Sequence, residues 1–124
     1  MINQSFDNLL HFLKEVPSIT GSISNGIENG LWWVKFRIDI EHPLAWNVVQ
    51  ELGHVLNCLS LEETLPTVFM PVSPPPYMNG GPDEFLSWLI ESKSKSFTPD
   101  DATKWLKSRL PNPVKKVKRW KVEK

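Results

Sequence analysis

Apolar residues at Phe6, Leu9, Leu10, Leu13 and Val16 recur at helical spacing, with Asp7, His11 and Lys14 between them, and predict a first helix. It must end near Val16, because Pro17 disfavours the α conformation in the residue before it. Ile19 and Ile23 alternate with Thr20, Ser22 and Ser24, the pattern of a short strand. Residues 25–30 carry two Asn/Gly turn signals and are expected to reverse the chain. The clearest element comes next. Trp32, Val34, Phe36, Ile38 and Ile40 fall on one face of a strand, and Trp33, Lys35, Arg37 and Asp39 on the other. One side therefore packs on a core, while the other lies under a helix or contacts a partner.

Pro43 suits the first turn of a second helix, whose stripe is Leu44, Val48, Leu52, Val55 and Leu59. Residues 65–72 read as a third strand, confined to a sheet edge because Pro66 and Pro71 cannot donate ladder hydrogen bonds. Pro82, Asp83 and Glu84 resemble a helix start, with Phe85, Trp88 and Leu89 as its buried face. Thr98-Pro99-Asp100-Asp101 is a stronger start, with a capping pattern, and Ala102, Trp105 and Leu106 line the inner face of the helix it opens.

The expected fold class is therefore α+β, a single compact domain over residues 1–111 with a basic C-terminal tail at 112–124. Its order is α-β-β-α-β-α-α, with a small, mainly antiparallel three-stranded sheet and helices packed on one face. The second strand, second helix and third strand would form one right-handed parallel crossover.

Composition narrows the setting. A chain of 124 residues, 40% apolar, suffices for one domain with its own core. A single cysteine, Cys58, leaves no partner for an intramolecular disulfide and points to a reducing, cytoplasmic compartment. The first base is Lys14, so the start lacks the charged region of a signal peptide. No apolar run approaches the ~20 residues that span a bilayer, so no membrane partner is expected. The net charge of zero conceals a division. Residues 1–91 hold eleven acids and three bases, and residues 92–124 hold eleven bases and three acids.

Assembled chemistry is absent from this pattern. His42 and His54 are twelve residues apart, about 18 Å along a helix, too far to share an ion. Glu51, His54 and Cys58 share a helix face, but a metal site of that kind needs a second Glu-x-x-His, which the sequence lacks. Asp39, Glu41 and His42 gather where a strand passes into a helix, and they are the only candidates for general acid–base work. There is no nucleophile elbow and no Gly-rich phosphate loop. Gly30, Trp33, Val34 and Phe36 fit the signature strand of RNA-recognition domains in kind. Trp32 occupies the slot of a small residue, however, and the element order is wrong for that fold. No cofactor or metal is expected, and no catalytic residue.

Two features point to partners. Residues 71–82 form a Pro-rich loop in which Pro74, Pro75, Pro76, Tyr77 and Met78 offer a pre-extended, low-entropy recognition segment. With Trp33 they are the candidate contacts of a non-enzymatic, regulatory or neutralising domain that binds another protein. The alternative is a nucleic-acid-associated accessory protein using Lys115, Lys116, Lys118, Arg119 and Lys121. Against it, Val114, Val117 and Trp120 recur every three residues, and the tail is expected to dock on the acidic body of its own chain.

Overall fold

The computed structural model describes residues 5–58, 64–72, 87–111, 114, 115 and 120. Among these, helix α1 (Asp7–Lys14) precedes strands β1 (Ile19–Glu28) and β2 (Leu31–Ile38). Helix α2 (Ala45–Gly53) runs on into a π-helical turn (His54–Cys58), and β3 (Thr67–Val72), β4 (Ser87–Ser92) and α3 (Pro99–Arg109) follow. The class is α+β, with a four-stranded antiparallel sheet in the order β1-β2-β4-β3.

Three expectations need correction. The sheet has four strands rather than three, because residues 87–92 form a strand where a helix was expected. Trp88 and Leu89 mimic a helical stripe, but Trp88, Ile90 and Ser92 are buried in alternation with half-buried neighbours, a period of two. Pairing on both sides, to β2 and to β3, outweighs the local signal. The supposed helix start at Pro82, and Phe85, lie outside the described residues. The crossover is also modified. Because β2 and β3 are each antiparallel to β4, they run in the same direction, with β4 inserted between them.

The hairpin reverses later than residues 25–30 suggested. β1 continues to Glu28, and the turn is Asn29-Gly30 alone, with φ of +55° and +81°. Positive φ at both central residues is the type I′ turn, whose twist matches the flanking strands. A two-residue turn makes Glu28 and Leu31 a hydrogen-bonded pair, and the pattern then alternates across the sheet. Carried through to β3, this alternation aims the backbone groups of Phe69 and Pro71 outward. Proline therefore stands where no ladder donor is required.

The core lies between the sheet and the helices. Trp32, Val34, Phe36, Ile38, Phe69, Trp88 and Ile90 face Leu9, Leu13, Val48, Leu52, Ala102 and Leu106. Phe36, Phe69 and Trp88 stack in sequence, with centroids 6.2 and 5.2 Å apart. The Trp32 indole donates to the Phe97 carbonyl at 2.7 Å, which ties β2 to the segment before α3. That helix begins with the expected capping box, Asp101 N–H to Thr98 Oγ1 at 3.1 Å and Thr98 N–H to Asp101 Oδ2 at 3.0 Å. Val114 and Trp120 belong to the same core cluster, and the Trp120 indole donates to the Val114 carbonyl at 2.7 Å.

Candidate functional site

The core strands alternate, so every side chain that skips the core arrives on the opposite face of the sheet, which carries no helix among the described residues. Cross-strand register lines these residues up in rows. One row runs Gly26, Trp33, Glu91, Val68, and the next runs Ser24, Lys35, Leu89, Met70. Trp33, Val68, Met70 and Leu89 are half-buried, and Lys35 and Arg37 are exposed. The result is a mixed face: Leu89, Met70 and Val68 adjoin, Trp33 meets Leu89 on the diagonal, and Glu91 and Lys35 stand among them.

Trp33 is held flat by a missing side chain. A Cβ on Gly26 would stand 2.6 Å from Trp33 Cζ2, so the indole occupies the space that any other residue at 26 would fill. Glu91 beside it pairs with Lys93 at 3.6 Å, an exposed contact worth little on its own. At the hairpin end, Glu28, Leu31, Trp33, Glu91 and Lys93 surround a shallow pocket of about 170 Å³, smaller than the ~300 Å³ at which small-molecule sites begin. A second hollow of about 250 Å³, between α1 and α3, is lined by Asn8, Asp100 and Lys104. There Asn8 already donates to Asp100 at 3.1 Å.

Of the sequence candidates, Trp33 lies on this face. Pro74, Pro75, Pro76, Tyr77 and Met78 lie outside the described residues, but the segment that holds them leaves and re-enters the sheet at Val72 and Ser87, a paired couple. Ser87 is four residues along β4 from Glu91, Trp33's neighbour, or about 13 Å. Lys115 is exposed, while Lys116, Lys118, Arg119 and Lys121 lie outside the described residues.

The Asp39, Glu41 and His42 cluster is occupied with local structure. Asp39 Oδ1 accepts from the Glu41 amide at 3.1 Å, and His42 Nδ1 accepts from the Leu44 amide at 3.0 Å, at the start of α2. Glu51 is half-buried and His54 exposed, and the Cys58 side chain lies outside what is described. Among the described residues, no three of His, Cys, Asp and Glu are grouped to hold a metal ion, and no helix is long and apolar enough to cross a membrane.

Sequence reasoning missed Leu89, whose alternation becomes visible only once 87–92 is read as a strand, and with it the rows that join Val68 and Met70 to the Trp33 face. It also missed Trp46, which stands 59% exposed on α2. No family model, curated protein or solved structure matches the chain.

Proposed function

We propose that the chain is a non-enzymatic domain that binds another protein through the helix-free face of its sheet. The observation that carries this reading is the juxtaposition of Trp33, Leu89, Met70 and Val68 in two adjacent rows, with Glu91 and Lys35 set among them. A half-buried tryptophan next to aliphatic side chains, with charges interspersed among them, suits a protein contact, where tryptophan and arginine are enriched. The Pro-rich segment rooted at Val72 and Ser87 extends the same contact in this proposal.

The test is comparative. Tagged wild type and Met70→Glu, each shown to be folded by circular dichroism, are taken through purification from the native source after nuclease treatment. The protein retained by wild type is then produced and its affinity measured directly. Met70→Glu and Trp33→Ala should each weaken that affinity at least tenfold, and Tyr77→Ala should weaken it without lowering the melting temperature. Equal affinity in both face variants would refute the reading.

A second reading, a nucleic-acid accessory role for the basic tail, is favoured by one placement. Asn47 Nδ2 lies 3.5 Å from the Trp120 carbonyl, so Trp120, which Arg119 and Lys121 flank in sequence, sits at the helix that exposes Trp46. Bases and an exposed aromatic together suit single strands. Its mark would be oligonucleotide binding with a steep salt dependence that Trp46→Ala weakens.

A further inference from the structure

The two edges of the sheet are treated differently. On β3, Asn57 grips the outward groups of Phe69, donating from Nδ2 to its carbonyl at 2.9 Å and accepting its amide at Oδ1 at 2.7 Å. Thr67 Oγ1 donates to the Leu56 carbonyl at 2.7 Å, and Pro71 has no amide to offer. That edge is closed to a further strand.

On β1, residues 24–28 pair with 31–35 in unbroken register. Among the described residues, nothing outside the ladder hydrogen-bonds to positions 20–28. The edge holds no Lys, Arg or Pro, the residues that usually guard such positions. It also exposes Ile27 at 52%. Alternation from the type I′ turn sends the amide and carbonyl of Asn25 and Ile27 outward, since Glu28, Gly26 and Ser24 face β2. Upstream, three residues intervene between Thr20 and Ser24 where β2 has one, and this bulge ends the regular edge.

We infer that a second copy of this chain docks on β1, strand against strand, about a two-fold axis through Gly26. The register is chosen by hydrogen bonds. An axis at Gly26 sets Asn25 opposite Ile27 of the partner, and its symmetry mate likewise, for about four backbone bonds. An axis at Ile27 yields about two, because its next outward partner falls in the turn. The Gly26 register makes the two glycines a non-hydrogen-bonded pair, the close kind, with Cα atoms about 4.5 Å apart. The space their side chains would occupy is already filled on each copy by a Trp33 indole, so the two indoles meet across the axis. Glu28, the only charge on β1, faces Ser24 of the partner and meets no like charge. The same patch meets itself, as a two-fold interface requires. This pairing does not depend on the protein-binding role of the sheet face.

A short strand contact buries little area and makes a weak, reversible dimer. Sedimentation of the full chain from about 10 μM to 1 mM, the range that detects millimolar to micromolar association, should show dimer growing from a minor to a major species. Over the same range, the amides of Asn25 and Ile27 should gain protection from hydrogen exchange. Ile27→Lys places a charge on the edge, and Ile27→Pro removes an outward donor without touching a β1–β2 bond. Each should abolish the dimer while leaving the melting temperature of dilute protein within a degree or two, and either variant suffices if the other misfolds. A wild type that stays monomeric at 1 mM overturns the inference. So does a dimer that survives Ile27→Lys, or one whose newly protected amides lie elsewhere.

Discussion

Removing the Trp120 side chain probes whether the segment beyond residue 111 belongs to the fold. Trp120 is 3% exposed, in one core cluster with Val114 at 6%. A tryptophan buries about 200 Å², and at ~25 cal/mol/Å² its transfer contributes about 5 kcal/mol, an upper figure because the unfolded chain hides some of that area. Trp120→Ala also leaves the Val114 carbonyl without its donor, at about 1 kcal/mol or more. Measured large-to-small substitutions place the total nearer 3–5 kcal/mol. With an unfolding entropy of ~2.1 cal/mol/K per residue, a domain of this size loses roughly 4 °C per kcal/mol, so the melting temperature should fall by about 12–20 °C. Deleting residues 112–124 removes Val114 as well and should cost at least as much. Salt separates the causes. Exposed ion pairs are screened at 1 M, where the Debye length is ~3 Å, but apolar burial is not, so most of the loss should persist there. Urea and thermal denaturation of wild type, Trp120→Ala and the deletion, each at 0.1 and 1 M NaCl, make the measurement. A deletion that melts within 2 °C of wild type would refute the packing of Trp120.

Three further substitutions test particular contacts. Asn57→Ala deletes both bonds to Phe69, and because Asn57 is itself exposed, the loss should be about 1–2 kcal/mol by urea titration; a loss below 0.3 kcal/mol would show the grip to be replaceable by water. Gly26→Ala should destabilise wild type by about 1 kcal/mol through Trp33, yet be neutral or favourable in a Trp33→Ala background, where alanine outranks glycine in a strand; additive effects would deny the close approach. Ser18 combines φ of +77° with a buried hydroxyl that has no partner among the described residues, so Ser18→Gly should raise stability by about 1 kcal/mol, and a lower melting temperature would disprove the strain.

Legibility in the sequence followed the range of the interaction. The face of β2, the cap of α3 at Thr98 and the edge position of β3 rest on periodicity, side-chain chemistry or proline within a few residues, and all were readable. Strand β4 was not, because six residues with an aromatic and an aliphatic side by side satisfy a helix as well as a strand. Its state is decided by β2 and β3, more than fifty and about twenty residues away. The hairpin was misplaced because Asn25-Gly26 and Asn29-Gly30 are equal as local signals. Only the opposing Trp33, which needs a glycine beneath it, distinguishes them. Of the candidate binding face, Trp33 was readable and Val68, Met70 and Leu89 were not, since they became neighbours only through β4.

The insertion of β4 between β2 and β3 imposes an order on the birth of the molecule. Chain synthesis delivers β2, already able to pair with β1, and then β3 with the place between them vacant; β3 finds no strand, and β2 no second neighbour, until Ser87–Ser92 has emerged. At 5–20 residues per second, the roughly twenty residues after Val72 take about one to four seconds. Throughout that interval the sides of β2 and β3 destined for β4 remain unsatisfied, beside Phe36 and Phe69, which have yet to stack on Trp88. Closing the sheet then joins Val34 to Ile90 across nearly half of the chain, a long-range step of the kind that makes folding slow. A nascent chain of this design spends its most adhesive seconds on the ribosome, waiting for its own middle strand.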